Sequence, residues 1–237
     1  MNLAGLRAAE LRREPYEWGF LRDGFDLDHA ARLLATFPRA GFWELTGTDA
    51  EKSWTYAARP LVTLDAGGPA LAGALHPEWR GVAQQLENQS YRQALSQAIG
   101  RDLSHAGVEA SVWRWDVGTN LGPHRDMASK IVTQVFYFNV GWDTRWGGCL
   151  RILGSREPDD LIQELPPRLG STSILVRSES SWHSVTPVSA SAPAARLSLI
   201  VTWFEPGAES PVWKVGADGR VGCVASGEPM DAVAAGG

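Results

Sequence analysis

Apolar positions along this chain change their period near residue 105. Before it they recur at helical spacing. "LAGLRAAELRRE" (3–14) carries apolar side chains three and four residues apart and runs into Pro15, which predicts a helix stopped by the proline. "EWGFLRDGF" (17–25) predicts a short strand. "DLDHAARLLATFP" (26–38) predicts a second helix, with Asp28 as its N-cap and Pro38 beyond its end. Residues 41–75 are rich in Gly, Thr and Ala and predict short strands mixed with loops. "HPEWRGVAQQLENQSYRQALSQAIG" (76–100) has the strongest helical pattern, with Val82, Leu86 and Leu95 on one side and a break near Asn88.

After residue 105 the period becomes two. "VEASVWRWDVG", "KIVTQVFYFNV", "GGCLRIL", "STSILVR", "WHSVTPV" and "ARLSLIVTWF" are short runs of β-branched and aromatic residues, separated by Gly, Pro, Asp and Ser. Six such runs in about a hundred residues predict a sandwich or jelly roll. Helices first and strands second predict an α+β fold with the helices packed on one face of the sheets. The expected organisation is a mainly helical support over 1–105, a β core over 106–206 and a Gly/Ala-rich tail over 207–237, all within one domain. In that tail "PVWKVGADGRVGCV" predicts one exposed hairpin around Gly216–Gly219, and the last ten residues are expected to be disordered.

Composition narrows the class. Hydrophobic residues make up 44% and charged residues 21% of the 237, as in an ordinary globular protein with a sizeable core. The net charge of −5 comes without any basic face, which argues against a nucleic-acid partner. No run is long and apolar enough for a membrane span, and the charged N-terminus does not resemble a signal peptide. Two distant cysteines, Cys149 and Cys223, fit packed residues in a reducing cytoplasm better than a disulfide framework.

Candidate chemistry starts at "GPHRDMASK" (122–130). If His124 ends a strand, His124 and Asp126 point to the same face and offer a nitrogen and an oxygen to one ion. Taken alone, a surface turn with a charged pair explains them equally well. His183 precedes another β run, and alone it reads as a core or loop histidine. Arg196 begins a strand of otherwise apolar character and shares a face with Ser198, Ile200 and Thr202. A buried arginine needs a partner, either an internal carboxylate or an anionic ligand. On "KIVTQVFYFNV", Ile131, Thr133, Val135 and Tyr137 share a face, with Val132, Gln134, Phe136 and Phe138 opposite. Arg125, between the two polar residues of the motif, should point away from them and toward a substrate. Arg145, Trp146 and Trp182 are candidates for the rim of a site.

In order and spacing, "HRD", the strand ending "YFN", "GGCLRI", "WHSVTPV" and "ARLSLIVTWF" resemble the Fe(II)- and 2-oxoglutarate-dependent oxygenases, most of all the prolyl-4-hydroxylase-like branch, over about residues 110–205. The resemblance implies a double-stranded β-helix. It implies iron ligands at His124, Asp126 and His183, forming a facial triad with three positions left open. It implies Arg196 as the partner of the 2-oxoglutarate C5 carboxylate, Tyr137 as a second donor, and Thr133, Leu150 and Ser198 lining the same pocket. Fe(II), 2-oxoglutarate and O2 would be required, with ascorbate supportive, and succinate and CO2 would be co-products. Relatives that halogenate carry Gly or Ala in place of the carboxylate, so Asp126 implies hydroxylation. Many relatives have a tyrosine on the strand before the H-x-D. This chain has "VWRWDVG" there, so Trp115 or Arg114 takes that region and the contact to the cofactor's other end is open. The expected substrate is a small molecule such as an amino acid or natural-product precursor. A protein residue or carrier-tethered substrate, a non-enzymatic jelly-roll binding module and a cupin-like zinc or manganese site are the alternatives.

Overall fold

The computed structural model describes residues 1–48, 53–64, 75–217, 220–224 and 227–229. Helix α1 (Leu3–Arg7) is only one turn and a half, far shorter than the apolar spacing over 3–14 predicts. Tertiary pairing overrides helical propensity here: Arg12 bridges Trp18, and the Trp18 indole N–H donates to the Glu14 carbonyl at 2.9 Å. Strand β1 (Trp18–Leu21) follows, as expected, and then helix α2 (Leu27–Ala35). The N-cap of α2 is Asp26 rather than Asp28. Asp26 is extended and accepts from the His29 amide at 2.8 Å, while Asp28 sits in the first turn, where its charge favours the helix dipole.

Strands β2 (Trp43–Thr48) and β3 (Ser53–Val62) form a hairpin. Helices α3 (Pro77–Glu87) and α4 (Gln89–Ile99) flank the expected break. Asn88 ends the first and caps the second, accepting from the Ser90 amide at 2.8 Å, and α4 stops at left-handed Gly100. Next come β4 (Gly107–Trp115), β5 (Asn120–His124), β6 (Lys130–Tyr137), β7 (Leu150–Leu153), β8 (Leu161–Leu165), β9 (Thr172–Val176), β10 (His183–Val185) and β11 (Arg196–Phe204). Sequence periodicity missed β5 and β8. The first carries "NLGPH" with no alternation, and the second is an edge strand whose Leu161 and Ile162 face solvent.

These strands make one folded antiparallel sheet in the order β1-β9-β6-β11-β4-β3-β5-β10-β7-β8, a jelly-roll arrangement. Strand β3 is the corner. Its end pairs with β4, while Trp54 and Thr55 pair with β5. The region 1–105 therefore supplies three strands of this sheet as well as the helices.

Alternation gives the larger sheet two different faces. Val108, Ala110, Val112, Val132, Phe136, Ile174, Leu199, Val201 and Trp203 point outward and are buried under the four helices with Leu33, Trp79, Leu86 and Leu95. Gln134 is the polar exception on this face, and it is satisfied: the Tyr91 hydroxyl of α4 donates to it at 2.7 Å, and it donates to Thr172 at 3.2 Å. The other face, with Trp115, Leu150, Ile152, Leu175 and Val185, encloses a second core and the cavity described below. Burial beside Glu164 pushes the Cys149 thiol up to about 12, which makes it a packed residue and not a nucleophile.

The tail departs from expectation. Strands β12 (Trp213–Val215) and β13 (Val221–Cys223) do pair around the expected turn, part of which, 218–219, lies outside the described residues. The hairpin is not an exposed appendage, however. Trp213 is 2% exposed, packs on Leu45 and Ala58, and its indole N–H donates to Ser111 at 2.8 Å. Strand β14 (Gly227–Pro229) then pairs with β2, within the stretch expected to be disordered; residues 230–237 lie outside the described ones. No helix among the described residues is long and apolar enough to cross a membrane.

Replacing Trp213 by Ala removes a buried aromatic and a satisfied hydrogen bond. The expected cost is about 3–5 kcal/mol, read as a lower denaturant midpoint. A midpoint unchanged within error would mean that the hairpin is not part of the folded unit.

Candidate active site

The site lies inside the jelly roll and is built by strand pairing. His183 of β10 is directly opposite His124 of β5, so their rings approach to 4.2 Å between centroids. Asp126 follows two residues after His124, just beyond the strand end. One ligand atom from each of His124, Asp126 and His183 lies within 4.8 Å of the others, and all three residues are buried. The histidine tautomers are set by the backbone. His124 Nδ1 is 2.9 Å from the Gly122 carbonyl, and His183 Nδ1 is 2.9 Å from the Ser181 carbonyl. A carbonyl can only accept, so Nδ1 carries the proton and Nε2 is the nitrogen that carries the lone pair. This is the donor set that a divalent first-row metal takes: two neutral imidazoles and one carboxylate.

Asp126 is held by two neighbours. Lys130 Nζ donates to Oδ1 at 2.6 Å, and Thr133 Oγ1 donates to Oδ2 at 2.8 Å. Burial alone would raise its pKa, but the Lys130 ammonium and the two imidazoles outweigh that and keep the carboxyl far below the ordinary carboxylate range. Thr133 lines the cavity, and its hydroxyl is spent on Asp126. Lys130 was not anticipated, although its spacing of four residues from Asp126 is visible in the sequence.

Arg196 opens β11 and is 2% exposed. Its guanidinium lies 4.8 Å from the Trp115 ring and 5.4 Å from the Tyr137 ring, and donates to Ser198 Oγ at 3.3 Å. Among the described residues no carboxylate pairs with it, and Nε has no hydrogen-bond partner. Burial pushes its pKa down, yet a guanidinium stays charged. The Tyr137 hydroxyl is shared with Ser173 at 2.9 Å. Arg196, Tyr137, Leu150 and Trp115 all line the cavity that contains the three clustered residues, with a volume of about 330 Å3.

Five other expected residues fall outside the wall of that cavity. Ser198, expected to line it, is fully buried and accepts from Arg196. The Arg125 side chain leaves the opposite side of the chain from His124 and Asp126, bonds Glu179 at 2.9 Å and lies over Trp182. Arg145 pairs with Asp143 at the surface, and Trp146 packs edge-on against Trp142. The cavity wall instead includes Trp54, Tyr56, Trp113, Met127, Pro211 and Val212. Trp113 could have been found, because it shares a strand face with Trp115. Tyr56, Pro211 and Val212 come from segments with no local signal.

The arrangement offers donors for a divalent metal and, in the same cavity, a buried cation with no counter-ion among the described residues. Comparisons agree with this chemistry. Between 79% and 86% of the chain shares its fold with each of three solved structures. A Pseudomonas putida prolyl-4-hydroxylase matches at TM-score 0.61 and 19% identity, covering 85% of this chain and 99% of that one. A prolyl hydroxylase from Trichoplax adhaerens, solved with a hypoxia inducible factor peptide fragment, matches at TM-score 0.51 and 13% identity, covering 79% and 83%. The non-heme alpha ketoglutarate dependent epimerase SnoN from nogalamycin biosynthesis matches at TM-score 0.52 and 15% identity, covering 86% and 80%. No curated protein sequence matches the chain. The family model described as the 2OG-Fe(II) oxygenase superfamily matches residues 110–205, the stretch that carries all three clustered residues and Arg196. That family works with Fe(II), 2-oxoglutarate and O2, and it is residues 110–205 of this chain that are similar to it.

Proposed function

We propose that the protein is a hydroxylase of a small molecule, holding Fe(II) through His124, Asp126 and His183 and 2-oxoglutarate through Arg196. The observation that carries the reading is the buried guanidinium with no carboxylate beside it among the described residues. Burying a charge is costly unless it is paired, so a site of this kind is built for an anion. Ser198 steadies the guanidinium, and the Trp115 face shields it from water. Lys130 and Thr133 orient the Asp126 carboxylate, and the two backbone carbonyls orient the imidazoles, so little has to reorganise when a metal binds. When bound, the iron and 2-oxoglutarate supply the oxidising chemistry: O2 is consumed, 2-oxoglutarate gives succinate and CO2, and one oxygen atom enters a C–H bond of the substrate. The residues of this chain bind and align the partners and keep water out.

A small substrate is favoured by the shape of the site. The cavity volume of about 330 Å3 must accommodate the dicarboxylate as well, and Pro211 and Val212 of the C-terminal segment wall it in. A peptide would require an open groove.

His183→Ala is expected to abolish 2-oxoglutarate-dependent succinate formation and to remove Fe(II) binding; unchanged turnover would sink the ligand assignment. Thr133→Val is expected to weaken metal binding about 10–100-fold, as loss of a ligand-orienting bond does, measured by titration with Mn(II). Arg196→Met tests the unpaired charge by itself. Without ligand this variant is expected to be as stable as the parent or more stable, by about 1–3 kcal/mol, because an isolated buried cation is removed. The thermal midpoint of the parent should rise with added 2-oxoglutarate, and that of the variant should not. If 2-oxoglutarate stabilises both equally, Arg196 is not its anchor.

A further inference from the structure

A dicarboxylate anchored at Arg196 has a second end, and that end needs hydrogen-bond donors inside the cavity. Most of the donors near the metal cluster are already engaged. The Tyr137 hydroxyl is shared with Ser173, Thr133 donates to Asp126, and Lys130 donates to the same carboxylate. The indole nitrogens of Trp113 and Trp115 are shut away from the open space. Tyr56 differs. It lines the cavity with the triad, and its hydroxyl has no hydrogen-bond partner among the described residues. Its ring is clamped, 4.2 Å from the Trp113 ring and 5.2 Å from the Trp115 ring, so the hydroxyl has a fixed direction. Trp115 in turn lies on the Arg196 guanidinium, which links Tyr56 through one aromatic ring to the anion anchor.

We propose that Tyr56, reaching in from β3, donates the hydrogen bond that positions the 2-oxo-acid end of the bound dicarboxylate. This supplies from a neighbouring strand the hydroxyl that Trp115 lacks. It rests on the assignment of Arg196 as the anchor and makes Tyr56 a positioning residue for the co-substrate. Burial and the nearby Cys223 and Asp126 charges raise the Tyr56 pKa, so the hydroxyl stays protonated and available as a donor across the working pH range. A phenol that donates to an anion without ionising itself suits that task.

The test uses the full chain loaded with Mn(II) and measures binding by calorimetry, so it does not depend on turnover. Two ligands are compared: 2-oxoglutarate, and succinate, which keeps a carboxylate for Arg196 but has no oxo group. Tyr56→Phe keeps the ring and its stacking. It is expected to weaken 2-oxoglutarate about tenfold while leaving succinate and Mn(II) affinity unchanged. An unchanged 2-oxoglutarate affinity, or an equal loss for both ligands, overturns the proposal. Thr202, opposite Thr133 in the sheet, is another cavity residue whose hydroxyl has no partner among the described residues. A loss in Thr202→Val without one in Tyr56→Phe would hand the role to Thr202 and overturn the proposal as well. Failure of the underlying reading looks different: the parent would not bind 2-oxoglutarate, or Arg196→Met would bind it as well as the parent.

Discussion

A guanidinium buried to 2% exposure without a carboxylate beside it among the described residues is expensive, and part of the interior is arranged around it. Two π faces, Trp115 and Tyr137, give partial compensation. Space for its methylene stem comes from Gly148, in left-handed conformation, where a Cβ would stand 3.0 Å from Arg196 Cδ. Its neighbour Gly147 is more constrained still: a Cβ there would lie 1.9 Å from the Pro187 carbonyl oxygen. The "GG" before β7 is therefore a consequence of how closely two segments pass beside the arginine. Stability is given up at one point, and a buried positive charge on the cavity wall is gained there.

The cluster of His124, Asp126 and His183 depends on the same sheet by another route. Neither imidazole is placed by a local motif. His124 and His183 lie 59 positions apart in the sequence and meet because β5 and β10 pair in that register. A slip of one residue in either strand would turn one imidazole out of the barrel. The carbonyls of Gly122 and Ser181, each two residues before its histidine, repeat the same ring-to-backbone bond on both strands. The register that brings the ligands together thus also fixes their tautomers.

What could be read from sequence follows from which forces are local. Alternation on β6 and β11 identified both faces correctly, since one face packs on helices and the other lines the cavity, and the side-chain period of a strand is insensitive to its partners. Helix α4, its break at Asn88 and the hairpin turn were legible because caps and turns are chemistry of a few adjacent residues. The N-terminal helix was overestimated because Arg12 pairs with Trp18, a tertiary contact that apolar spacing cannot register. Strands β5 and β8 lacked alternation because neither buries one clean face. Arg125 and Arg145 looked like rim residues by proximity in sequence, yet each has a carboxylate of its own to hold.

The cavity divides by origin of its walls. Residues 110–205, the part shared with the oxygenase family, supply the polar equipment: the clustered ligands, Lys130, Thr133 and Arg196. The apolar wall around it draws on segments outside that stretch, with Trp54 and Tyr56 from β3 and Pro211 and Val212 from the hairpin that Trp213 anchors. This division has an electrostatic consequence. Trp54, Tyr56, Pro211 and Val212 displace water without themselves adding charge, which lowers the dielectric around Arg196 and the clustered residues. A protein that takes part of its cavity wall from outside the shared core can change what enters the cavity without disturbing the clustered His124, Asp126 and His183. Such changes would fall on β3 and the hairpin, where a substitution meets a ligand and not the register that holds the two histidines together.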